Sequence, residues 1–171
     1  MPPRDDPRDA LVARDGAKLA DLPIGARIGH AGAITQVFEL DEMLPAPGQG
    51  ALAVECRDGE PELAALLAAV NDAASMAAAV AERSLLEALA VGCSAPVGGY
   101  AVVPPGQHEQ LLMHAAVLSP DGARVLRAHG SAPAADARRL GRDLAAELLH
   151  RGASDLISSP MAPTSSGNDV Q

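Results

Sequence analysis

Apolar residues recur along this chain with two periods, and the clearest runs lie in its second half. Behind Pro61, the residues Leu63, Leu66, Leu67 and Val70 fall at helical spacing and predict an amphipathic helix. Asn71 and Asp72 break that helix and cap the next, over 73–90, with Ala78, Ala81, Leu85 and Leu89 on one face. Arg83 and Glu87 on its other side predict a solvated pair, and Gly92 ends it. Strands are predicted over 99–104, 110–118 and 123–129, joined by Pro104-Pro105-Gly106 and by the turn Ser119-Pro120-Asp121-Gly122. A last helix, 132–151, takes Ser131 as its cap and buries Ala137, Leu140, Leu144 and Leu148. His150 and Arg151 complement its dipole, and Gly152 stops it. These elements predict an α+β fold: over 72–157, a three-stranded antiparallel sheet covered by helices. The Ser, Pro, Gly and Asn of 158–171 predict a disordered tail.

The first half is less regular and predicts an incomplete α/β remnant. Residues 8–13 read as a short strand, Asp15-Gly16 as a turn, and Leu19 to Leu22 as a short helical segment ended by Pro23. A buried strand starts at 26–29 and stops. Ile34, Val37 and Phe38 suggest a weak helix. Two prolines and two glycines in Met43–Gly50 predict a hinge. Ala51 to Arg57 is apolar until Glu55, which predicts a central, buried strand with Cys56 as a core thiol.

Composition narrows the chemistry. With 171 residues and 48% hydrophobic content a core can form, but Phe38 and Tyr100 are the only aromatics, so it is built from Ala, Val, Leu and Ile. A net charge of -9 with a single lysine, Lys18, disfavours nucleic acid and anionic membrane as partners. No apolar run approaches the roughly 20 residues of a membrane span. Met1 to Pro7 is polar and acidic rather than a signal peptide, so a cytoplasmic protein is expected.

Cys56 and Cys93 are too few for a disulfide framework and lack zinc-ligand or Cys-x-x-Cys spacing. Histidines 30, 108, 114, 129 and 150 are scattered. His114 and His129 face each other if the hairpin forms, but a surface or satisfied role is expected for each, and no metal. Phosphate-cradling and Ser-His-Asp signatures are missing. Cys93 stands out, in Val91-Gly-Cys-Ser-Ala-Pro-Val-Gly-Gly-Tyr100, where glycines and a proline fix the direction of the thiol. Two readings stay open for it: a small buried hydrophobe at a helix end, or an accessible thiol with a chemical task.

Three stretches carry a resemblance. They are Leu44-Pro-Ala-Pro-Gly-Gln-Gly-Ala-Leu-Ala-Val-Glu-Cys-Arg57, Ala81-Glu-Arg-Ser-Leu-Leu-Glu-Ala-Leu89 and Gly92-Cys-Ser-Ala-Pro-Val-Gly-Gly-Tyr-Ala101. With Arg4 to Leu11 and Lys18 to Gly29, they resemble the hydroxymethylbilane synthase (porphobilinogen deaminase) family over nearly the whole chain, in two pieces. The resemblance implies a transferase of tetrapyrrole and haem biosynthesis. A dipyrromethane cofactor would be held by a thioether to Cys93, with four porphobilinogen units added to it, each losing ammonia. Gln49 and Gly50 would lie near that cofactor, or serve as plain hinge backbone. The family is monomeric.

The same resemblance implies a domain order. Residues 1–29 would be a remnant of the first domain, 30–48 the end of the second domain and a hinge, and 49–71 the return strand and helix of the first. Residues 72–157 would form the C-terminal, cofactor-anchoring domain. The family's Lys-Asp pair would precede Arg4, so no catalytic residue is identified in this sequence. Its Ser-Ser-Leu-Arg-Arg and Arg-Gly-Asn motifs do not follow Gly29. A truncated and internally deleted member is therefore expected, weakly active or inactive alone. The competing expectation is a non-catalytic α+β binding module with Cys93 as a core thiol.

Overall fold

The structure is a computed structural model and describes residues 1–24, 34–92, 95–107 and 109–157. The strand expected at 26–29, the tail at 158–171, and His30, Cys93 and His108 lie outside the described residues. The described elements are β1 (Ala10–Leu11), β2 (Gln36–Val37), α1 (Pro61–Ala69), α2 (Ala73–Leu89), β3 (Val97–Val102), β4 (Gln110–Leu118), β5 (Val125–Pro133), α3 (Ala137–His150) and α4 (Ala153–Ile157).

The fold is α+β, as the patterning predicts. Strands β3, β4 and β5 form an antiparallel sheet in that order, with α2 and α3 against one face. Alternation decides which side is buried. Leu111, Met113, Ala115 and Val117 of β4 point into the core, where they meet Ala81, Leu85 and Leu89 of α2 and Leu140, Leu144 and Leu148 of α3. With almost no aromatic volume available, close helix approach replaces bulk. A methyl group on Gly141 of α3 would overlap the Ala81 carbonyl oxygen of α2, so the two backbones are nearly in contact there.

Asp72 caps α2 by accepting a hydrogen bond from the Ser75 amide at 2.7 Å. The Ser75 side chain first, and then this amide bond, hold the Asp72 carboxyl below its ordinary range. The folded-state pKa is lower than the unfolded one, so the cap contributes fully above the unfolded value of about 3.9 and is lost as pH falls through the folded value. Asp72→Ala is expected to cost about 1 kcal/mol near neutral pH. In urea melts that cost should shrink as pH falls below the unfolded value of about 3.9 and through the lower folded one. A pH-independent cost would mean that the cap is not the source of the effect.

Several expectations change. The last helix starts later than predicted, because β5 runs on to Pro133. Ser131, expected as its cap, pairs with Leu112 inside the sheet. Asp136 takes the N-cap position instead. Ala90 closes α2 in the left-handed region, φ 55°, two residues before Gly92. Glu87 pairs with Arg138 of α3 at 3.2 Å rather than with Arg83. Residues 34–38 hold no helix: Gln36 and Val37 form β2, antiparallel to β1, because Thr35 and Phe38 bond the backbone of 9–11.

The largest correction concerns 51–57. No strand forms there. Leu52 is 64% exposed and Val54 53% exposed. Cys56, expected as a core thiol, is free and exposed. Helix α1 does form, but it buries none of its residues. The apolar pattern signals burial against partners that the described residues do not provide.

Candidate functional site

Cys93 falls in the chain between α2 and β3, and the described residues on either side are Gly92 and Ala95. The segment 44–50 is packed against the start of β3. The Gly99 amide donates to the Pro45 carbonyl at 2.9 Å, and Pro45 is fully buried. A methyl on Gly98 would meet Leu44 Cβ at 2.9 Å, and one on Gly99 would meet Pro47 Cγ at 3.1 Å. The paired glycines after the turn are thus required by the close approach of the hinge. Gly48 and Gly50 take φ 84° and 75°, the left-handed region where glycine carries no steric cost.

One buried carboxylate ties these parts together. Glu82 of α2 is completely buried. Its Oε1 accepts from Arg4 Nη1 at 2.6 Å and from the Ala101 amide of β3 at 2.7 Å. Its Oε2 accepts from Arg4 Nη2 at 3.2 Å and from the Gly48 amide at 2.5 Å. Arg4 also donates from Nε to the Gln49 carbonyl at 2.8 Å, and its guanidinium lies 5.1 Å from the Tyr100 ring centre. Burial, the largest influence, raises the Tyr100 pKa. Sequence reasoning missed Glu82. The available signal was a glutamate at the i+4 position of the stripe begun by Ala78, a charge on a face that is otherwise apolar.

Gln49 and Gly50 sit in this clamp. The Gln49 amide donates to the Pro7 carbonyl at 2.7 Å and to Asp9 Oδ1 at 3.1 Å, which accounts for both of its donor hydrogens. The Gly50 carbonyl accepts from the Asp5 amide at 3.0 Å, and a methyl on Gly50 would stand 2.8 Å from the Asp5 carbonyl oxygen. Two cavities are lined by Ala95 and Pro96 at the start of β3. One, of about 660 Å³, lies between Val91, Gly92, Ala95, Pro96 and Leu118, and no described residue lining it is charged. The other, of about 360 Å³, brings Gln49 beside Ala95 and Pro96, with Asp9, Glu42 and Arg127 on its walls.

The family model described as porphobilinogen deaminase, C-terminal domain, matches residues 76–150, and the one described as porphobilinogen deaminase, dipyromethane cofactor binding domain, matches residues 26–65. The porphobilinogen deaminase of Mycolicibacterium paratuberculosis is 37% identical over 226 residues, covering 98% of this chain and 72% of that protein. The chain belongs to the porphobilinogen deaminase family. The enzyme of that name from Mycobacterium tuberculosis is 37% identical over 215 residues, with 92% of this chain and 70% of the relative covered. The first match extends over 226 positions although the whole chain has 171 residues, so at least 55 positions of that match have no counterpart here.

Membership makes the chain part of a transferase family of tetrapyrrole biosynthesis whose cofactor is dipyrromethane. The space beside the turn suits such a group in size. Its charge complement does not. A dipyrromethane carrying acetate and propionate groups calls for arginine forks. The described walls of the two cavities offer Arg127 against Asp9 and Glu42. The described residues therefore do not supply the arginine forks those carboxylates call for, and no condensation step is built on them.

Among the described residues, no single helix is long and apolar enough to cross a membrane.

Proposed function

We propose that this chain is a hydroxymethylbilane synthase-type polypeptide in which Cys93 is the thioether anchor for dipyrromethane and porphobilinogen is the substrate. Residues 72–157 act as the cofactor-anchoring domain. Residues 1–29 and 49–71 derive from the family's first domain, and 30–48 from the end of its second domain and the hinge. Gln49 and Gly50 face the cofactor side of the hinge through the clamp that Glu82 closes. The setting is cytoplasmic.

The observation that supports this reading is the packing of residues 44–47 against Gly98 and Gly99 of β3, the strand that follows Gly92 and Cys93 in the chain. The two acidic side chains on the walls of the smaller cavity, Asp9 and Glu42 against Arg127 alone, and the positions of the match that have no counterpart here favour weak turnover. Purified chain supplied with porphobilinogen should release little or no ammonia and form little or no bilane beside a full-length relative. Equal rates would overturn the claim that the condensing machinery is incomplete. The same acidic walls favour a second reading, a binding module in which Cys93 carries nothing.

A further inference from the structure

One face of the sheet lies against α2 and α3; the other is covered at Gly98 by Leu44 and open at His114 and His129, where Leu40, Asp41 and Leu44 line a cavity with Tyr100, His114 and Arg127. His114 of β4 and His129 of β5 are register partners on that second face, and both are exposed. Their ring centres are 5.9 Å apart, with 22° between the ring planes. We propose that His114 and His129 form a two-imidazole site for a divalent transition-metal ion of the Zn²⁺, Ni²⁺ or Cu²⁺ class. This reverses the expectation, drawn from their scatter in the sequence, that the histidines hold no metal.

Distance supports it. A metal about 2.0–2.1 Å from an imidazole nitrogen lies roughly 3.2 Å from that ring's centre. Two rings sharing one ion then have centres roughly 5.2 Å apart at a tetrahedral angle and roughly 6.4 Å apart in a line. The observed separation falls between these limits, so turning the two rings about their side-chain bonds suffices and the strands need not move. Imidazole prefers this class of ion. Antiparallel register holds the two rings opposite each other without any loop to order.

The surroundings set limits on the site. No group of three or more His, Cys, Asp or Glu suited to a metal occurs among the described residues, so the protein supplies two ligands and water or a solute supplies the rest. Arg127, two residues before His129 on the same strand face, opposes a cation and favours an anionic co-ligand.

The chain contains its own reporter. Tyr100 is its single tyrosine, tryptophan is absent, and Tyr100 is the register partner of His114 on β3. Cu²⁺ titrated into the full chain should quench tyrosine fluorescence saturably at one equivalent, and Zn²⁺ should compete and restore the emission. His114→Ala and His129→Ala should each weaken Cu²⁺ at least about tenfold, the smaller cost seen when even a supporting contact of a metal ligand is lost. Both positions are exposed, so circular dichroism should be unchanged. His150→Ala, at the exposed end of α3, should leave the titration as in wild type. Absence of saturable quenching, or its survival in both cross-strand variants, would overturn the site.

Discussion

Glu82→Ala is expected to cost about 3–5 kcal/mol, because it leaves a guanidinium unpaired in a largely buried site. Arg4 is only 10% exposed at its side chain and Glu82 is not exposed at all, so water cannot replace the lost partner. The Gly48 and Ala101 amides also lose their acceptor. Small domains are stable by only about 5–15 kcal/mol, so the variant stands near the edge of folding. Glu82→Gln keeps the shape but turns an amide NH₂ towards donors, and should still cost about 1–3 kcal/mol. Glu87→Ala is the control. It breaks an ion pair of similar length whose two side chains are each 56% exposed, and such pairs contribute about 0–1 kcal/mol. Urea melts of the three variants test the ranking, and a Glu82→Ala loss no larger than that of Glu87→Ala would show that the clamp does not hold the hinge.

Gly141→Ala should be the second most damaging change, with a sign opposite to propensity. Inside a helix alanine is favoured over glycine by about 1 kcal/mol. Here the added methyl would overlap the Ala81 carbonyl oxygen and lie 2.9 Å from the Leu85 amide nitrogen and 3.1 Å from the Ala81 carbonyl carbon. All three are backbone atoms and cannot rotate away. Helix α3 must move off α2, and overpacking of this kind costs about 1–3 kcal/mol, occasionally more. Thermal melts should show Gly141→Ala well below wild type. A neutral or stabilised variant would mean that the helices are farther apart than described.

The elements legible in the sequence were those whose partners lie close along the chain. Asp72 caps the helix that begins one residue later, and Leu85 and Leu89 meet α3 and a sheet built within the next sixty residues. The Pro120-Asp121-Gly122 turn fixed the register that sets His114 against His129. The misread elements depend on contacts elsewhere. Residues 51–57 carry the apolar run of a buried strand, yet no described strand pairs with them, and Leu52 and Cys56 face solvent. The stripe of α1 was real as a pattern and unmet as packing. The β5–α3 boundary was misplaced because Ser131 satisfies a cap rule locally while the ladder to Leu112 wins.

Of the candidate site, the stretch Leu44–Gly50 and the glycines at 98 and 99 stood out in the sequence as motifs. The Glu82 clamp was not, since Arg4 and Gly48 reach that carboxylate from 78 and 34 residues away. Spacing within one helix cannot encode contacts of that range. Leu44 and Pro47 against Gly98 and Gly99 were hidden for the same reason: glycine announces a close approach but not what approaches.

The most direct test of the account is the intact mass of the chain, purified under denaturing conditions from a host that makes porphobilinogen. The account predicts an adduct of dipyrromethane size on wild type, absent from Cys93→Ser and retained by Cys56→Ser. An unmodified wild-type mass, or an adduct that survives Cys93→Ser, would contradict the assignment of Cys93 as the cofactor anchor.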